Sequence, residues 1–345
     1  MHDVHEEWVA LWCEWQLGRT ISQLKRSQSL DASQALDVGV RHDAALRRLL
    51  RAREWPQQPT NVIVRHQLPA PLRHTSDAPF GLCILGDPAL LGDIPRVAIV
   101  GSRKPRSESS HFAQRLASEL AQCGVVVVSG LAVGVDAAAH RGALDAGGST
   151  IAVLGSGIEC PYPASNRELA ARIADSGLVV SEYAPTTPAH KAHFPQRNRI
   201  IAGLCDLVVV VQAGSKSGSM ITATAALNAG VDVCVMPGSI ADAQFAGSLA
   251  LIRDGASVAV DAGSVLHILG LSAPDAGEYG LASILQVPRT ADEIAGLSGL
   301  SAADTWVELL DLEVAGNVVR TADGRYVDAG FQRDGLRAPT MRINA

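Results

Sequence analysis

The chain has 345 residues, 36.1 kDa, 47% hydrophobic and 19% charged, which supports two or three globular domains and excludes wholesale disorder. Its 29 Lys+Arg against 35 Asp+Glu leave a net charge of -6, so any binding of a polyanion needs a local basic cluster rather than a global field. No apolar run approaches the ~18 residues of a membrane span, Met1–Trp15 has no apolar signal core, and the six cysteines stand singly without a CxxC pair; a cytoplasmic protein without membrane, zinc knuckle or disulfide framework is expected.

Residues 1–75 read as a small helical N-terminal domain: Glu6–Gln16 and Ala44–Glu54 have helical apolar spacing, with Leu46, Leu49 and Leu50 on one stripe. Pro56, Pro59, Pro69 and Pro71 then mark a linker. From Leu82 onward, β-branched runs recur at Val97–Val100, Val125–Val128, Thr150–Leu154, Leu178–Val180, Leu207–Val211 and Val231–Val235. Runs without polar alternation suit strands buried on both faces of a parallel sheet. Amphipathic stretches such as Phe112–Cys123 and Asn166–Asp175 lie between them. The 4% aromatic content and 32 glycines agree with tightly packed layers. The fold expected over 76–262 is α/β, a Rossmann-like doubly wound, mostly parallel sheet.

Gly263, Gly270, Pro274 and Gly277 mark a second linker, and 279–330 reads as a winged-helix domain. Thr290-Ala291-Asp292-Glu293 is a capping box, Leu297–Leu300 a turn, Ser301–Glu313 a second helix, and Asn317–Val327 a hairpin turning at Asp323-Gly324. The Ser301–Glu313 helix carries four acids and no Lys or Arg, and 281–330 holds eight acids against three bases. Phosphates would be repelled there, so a protein-contact or dimer-supporting role is expected of this domain.

Charge is unevenly spread: residues 96–260 hold 13 bases and 12 acids, and 261–345 hold 6 and 12. The middle third is where an anion is tolerated. Four loops at strand ends there combine glycines and hydroxyls: Gly101-Ser102-Arg103-Lys104-Pro105, Ser129–Asp136, Gly155-Ser156-Gly157 and Gly214–Ser219. Glycine lets backbone amides approach an oxyanion, and a helix start adds donors. Each alone could be a tight connection; four at one sheet edge favour an anion site. GxxxxGK[ST] is absent and no GxGxxG follows the first strand, which disfavours ATP hydrolysis and hydride transfer.

His193-Phe194-Pro195-Gln196-Arg197-Asn198-Arg199 is the sharpest cluster. Two arginines and an amide form a phosphate-reading comb, with Phe194 as a stacking face for a base. The competing reading pairs Arg197 or Arg199 with Glu182 or Asp206 inside the fold. His190 and His193 lack the companions of a metal site, and His140 lacks a nucleophile beside it.

With these loops in place the sequence resembles the DprA/Smf family of DNA-processing proteins of natural transformation. The resemblance is carried by Val97–Arg103, Ser129–His140, Phe194–Gly203, Ser217–Ala223 and Pro237-Gly238-Ser239, in the family's order. It implies a core that binds single-stranded DNA, dimerises, and loads the RecA recombinase onto DNA shielded by single-strand binding protein, with no catalytic activity and no cofactor. It places Gly101, Ser102, Arg103, Ser129, Gly130, Lys191, Phe194, Arg197, Asn198, Arg199, Ser217, Gly218 and Ser219 at the DNA site. Gln212, Val231 and Leu249 depart from the family's usual acid, arginine and asparagine. Two rivals use the same core: a nucleotide phosphoribohydrolase of the lonely-guy type, whose PGGxGT loop is missing here, and a nucleotide-sensing module.

Overall fold

A computed structural model describes residues 61–75, 77–271, 284–285, 287–298 and 300–329. The chain divides into two compact units between Leu269 and Gly270. The helices expected within residues 1–60 lie outside the described residues.

The first unit is built on nine strands: β1 (Val62–Val64), β2 (Gly81–Gly86), β3 (Arg96–Gly101), β4 (Val126–Ser129), β5 (Thr150–Val153), β6 (Leu178–Ser181), β7 (Leu207–Val211), β8 (Asp232–Val235) and β9 (Ser257–Val258). Their order is β1-β2-β6-β5-β4-β3-β7-β8-β9. The seven strands from β6 to β9 in that order pair in parallel, while β2 pairs antiparallel with both β6 and β1. The expected Rossmann-like class is therefore present. Every residue of β4 to β7 is buried, as uninterrupted Val/Ile runs require of strands covered on both faces. Fully burying one such side chain contributes roughly 1.5–3 kcal/mol. β1 is a difference from the sequence reading: Val62–Val64, in the stretch taken as linker, pairs with Gly81–Cys83.

The covering helices are α1 (Ala70–Arg73), α2 (Ser107–Gln122), α3 (Val135–Asp145), α4 (Arg167–Ser176), α5 (His193–Gly203), α6 (Gly218–Asn228), α7 (Ala246–Arg253) and α8 (Ala262–Ile268). α2 buries Ala113, Leu116, Ala117 and Leu120, the i, i+3, i+4, i+7 stripe of a helix packed on one side. Chain order reverses at β3: β4, β5 and β6 follow on one side, β7 and β8 on the other. A crevice opens beyond the carboxyl ends of β3 and β7 at such a switch point.

The second unit contains α9 (Ala291–Ser298), α10 (Ala302–Val314) and a hairpin of β10 (Val318–Arg320) with β11 (Tyr326–Asp328). Thr290 and Glu293 exchange the two bonds of a capping box, Ser301 caps α10, and Gly324 turns the hairpin at φ +82°. This is a winged helix, over a core of Leu285, Ala291, Ile294, Leu309, Val318 and Tyr326.

Candidate functional site

A groove of about 1020 Å³ lies at the switch point. The loop after β3 supplies Gly101, Ser102, Arg103 and Lys104; the loop after β7 supplies Gly214 to Ser217; α5 supplies Phe194, Arg197, Asn198 and Ile201. Those α5 positions are i, i+3, i+4 and i+7, one face of a helix. Lys191 and Tyr162 complete the rim.

The β3 loop is fixed from below. Val135 N–H, at the start of α3, donates to Ser102 O (3.1 Å), and Ser102 Oγ accepts from Lys104 N–H (3.1 Å). Gly134 precedes α3 at φ +85°, and a Cβ there would run into Ser102 O, so the position demands glycine. Held this way, Arg103 and Lys104 are exposed. The Arg103 guanidinium carbon stands 5.5 Å from the Phe194 ring centroid. The Tyr162 ring lies 5.6 Å from Phe194 at 49°. A cation and two aromatic faces thus share one wall.

Opposite them, Ser217 caps α6: its Oγ accepts from Ser219 N–H (3.4 Å) and lies 2.7 Å from Ser219 Oγ. Asn198 Nδ2 donates to Gly218 O (3.3 Å), tying α5 to that helix start. Gln212 closes the end of β7 in a left-handed backbone conformation (φ +53°). Its Oε1 accepts from Arg106 N–H (2.8 Å), and its Nε2 donates to Gln244 Oε1 (2.5 Å). A neutral amide can do both; a carboxylate at this position could not donate.

The structure brings Gly101, Ser102, Arg103, Lys191, Phe194, Arg197, Asn198, Ser217, Gly218 and Ser219 to the groove. It does not bring Ser129, Gly130 or Arg199 there as ligand-facing groups. Ser129 is buried, with Oγ donating to Ile99 O (2.6 Å). Gly130 is buried against the Arg197 guanidinium, which a Cβ at Gly130 would strike.

The comb of Arg197 and Arg199 is a correction. Arg199 is locked to Glu182 (2.6 Å) and to Asp77 (3.4 Å), the internal pairing that competed with the comb. Arg197 is only 4% exposed and reaches across to the carbonyls of Gly130 (2.6 Å) and Val153. Asp136 Oδ2 accepts from the Gly130 and Ala132 amides (3.1 and 3.3 Å). Burial raises the Asp136 pKa, opposed by the Arg197 charge, and burial lowers that of Arg197 to about 10. Arg197 and Asp136 together brace the β4–α3 loop beneath the groove. Asp206 is engaged elsewhere, accepting from Arg96 N–H (2.8 Å).

Arg199→Ala is expected to lower stability by about 1–3 kcal/mol, because Glu182, 2% exposed, would lose its cation. Urea denaturation measures the loss; oligonucleotide affinity of the folded variant should stay within about twofold of the parent.

His140 is fully buried, with Nδ1 2.8 Å from Thr150 Oγ1, which donates to Val127 O (2.6 Å). Burial lowers its pKa from 6.5 to about 3. The unfolded chain therefore takes up a proton that the folded chain refuses. Stability from this residue is complete above pH 6.5 and lost as pH falls toward 3, about 2 kcal/mol by pH 5. Urea midpoints at pH 7.5 and pH 5 should show a smaller drop in His140→Gln than in the parent; equal drops would reject this assignment.

Lys104, Lys216 and Tyr162 line the groove although the sequence reading did not select them. The lysines stand inside loops already recognised as glycine- and hydroxyl-rich, so basic residues beside those glycines were the available signal. Tyr162 follows β5 with no such sign.

The family model for DNA recombination-mediator protein A matches residues 59–270, and the DprA winged helix domain model matches 281–324. The chain is 41% identical over 215 residues to DNA processing protein DprA of Streptococcus pneumoniae, covering 62% of this chain and 76% of that one. It is 41% identical over 190 residues to the Bacillus subtilis DprA, 55% of this chain and 64% of that one. The solved S. pneumoniae DprA superposes with a TM-score of 0.60 at 34% identity, over 76% of this chain and 93% of that one. DNA processing protein A of Helicobacter pylori, described for its unique single-stranded DNA binding mode, superposes at 0.55 and 33% identity, over 59% and 92%.

Proposed function

The chain belongs to the DNA recombination-mediator protein A family, and on that premise we propose that it binds single-stranded DNA in the groove at the β3/β7 switch point. The observation that carries this is Arg103, exposed with its guanidinium carbon 5.5 Å from the Phe194 ring centroid, on a rim shared with Lys104, Lys191 and Lys216. Cations along a groove track a phosphate backbone, and aromatic faces stack bases with little sequence preference. The H. pylori relative's single-stranded DNA binding supports the same ligand.

In this reading the protein shields single strands in the cytoplasm and delivers them to the RecA recombinase against single-strand binding protein, acting as a homodimer without catalysis. The family's recombination-mediator description supports it. Light scattering that gave the monomer mass at tens of micromolar would contradict the dimer. The hydrolase rival gains nothing from the groove: Asp136, the acid lining it among the described residues, has Oδ2 committed to two backbone amides.

Anisotropy of labelled oligo-dT at several salt concentrations tests the ligand. With four exposed cations on the rim and about 0.7 per neutralised phosphate, the log–log slope should be about -3. No binding, or affinity indifferent to salt, would reject the proposal.

A further inference from the structure

The winged-helix unit carries a helix with three distinct faces. α10 turns Thr305 and Leu309, with Leu312 at the margin, into the unit's core. Trp306, Val307, Leu310 and Val314 remain 49%, 61%, 60% and 81% exposed. At 3.6 residues per turn these four fall within about 100° of one another. Asp304, Glu308 and Asp311 fill the sector between one edge of the stripe and the Leu312 side of the core, and Glu313 stands at the stripe's other edge. Singly exposed apolar residues need no explanation, but a continuous stripe opposite the core and bordered by acids does. Trp306 stands edge-on to Tyr326, ring centroids 6.0 Å apart at 85°, so a core residue supports one end of the stripe.

Charge selects what covers it. Among winged helices the helix at this position commonly enters a DNA groove, yet α10 has four acids and no Lys or Arg, which phosphates and anionic headgroups would repel. A second copy laid antiparallel on the stripe would set the acidic edge against its own twin, like charge on like. A helix with apolar anchors at i, i+3, i+4 and i+7 and lysines or arginines along one edge satisfies both sectors at once. We propose that the exposed α10 face is a docking surface for a basic amphipathic helix of another protein. The site is separate in kind from the groove and does not depend on the groove's ligand.

The full chain is titrated against a labelled synthetic helix of about five turns, with leucines at the anchor spacing and lysines on one flank, and against its twin with glutamates for lysines. The lysine peptide should bind in the micromolar range and the glutamate twin about tenfold or more weaker. Leu310→Ser should weaken the lysine peptide about tenfold, with an unchanged melting temperature because the side chain faces solvent. The double variant Glu308→Lys, Asp311→Lys should reverse the preference between the peptides. The proposal is overturned if the lysine peptide fails to bind, if both peptides bind equally, if Leu310→Ser binds as the parent does, or if the double variant keeps the parent's preference. A sedimentation mass that falls on Leu310→Ser would give the face to a second copy, and duplex binding lost in that variant would give it to DNA; either overturns the proposal.

Discussion

Arg103→Ala should weaken oligo-dT binding about tenfold to hundredfold with little change in melting temperature. The guanidinium is exposed on a loop fixed by backbone bonds from Val135 and by Ser102, so its removal leaves no buried partner behind. A charge-assisted contact to phosphate contributes about 1.5–3 kcal/mol, which sets that range. Because one phosphate contact is lost, the salt slope should shrink by about 0.7. Phe194→Leu provides the contrast: loss of stacking costs about 1–3 kcal/mol per base and leaves the slope unchanged. Anisotropy across a salt series reads both variants. If Arg103→Ala bound as tightly as the parent with the same slope, Arg103 would have no part in the contact.

Arg197→Ala should cost about 3–5 kcal/mol of folding stability, the largest effect expected of any single change in the site. Its guanidinium is buried and satisfies the carbonyls at the ends of β4 and β5, while its charge offsets the buried Asp136 carboxylate. Truncation would leave those acceptors without a donor and the carboxylate without a cation. Denaturant unfolding measures the loss, and Asp136→Asn combined with Arg197→Ala should cost less than the two single changes added together. Full stability with abolished binding would return Arg197 to the role of a direct phosphate contact.

The contrast between these two arginines shows what was legible in the chain. Val97–Val100 and Leu207–Val211 were readable as strands because a strand covered on both faces must be apolar throughout, and that leaves a continuous run. The Gly101–Lys104 and Gly214–Ser219 loops were readable because they follow those runs directly. Val62–Val64 was not, since three β-branched residues among prolines do not separate a strand from a linker. Arg197 and Arg199 were misread as neighbours on one comb. Both lie on α5, where residues two apart face in different directions, so one turns toward the β4 and β5 ends and the other toward Glu182. Helical spacing from Phe194 keeps Arg197 and Asn198 on its face, adds Ile201 and leaves Arg199 out.

The brace beneath the groove joins positions far apart in the chain. Gly130 gives its amide to Asp136 and its carbonyl to Arg197, and leaves the guanidinium room by having no side chain. A larger residue at 130 displaces the cation, and losing the cation strands the acid. Drift at any one of these sites is therefore tolerated only alongside the other two, and descendants of this sequence should exchange the trio as a set or keep it whole.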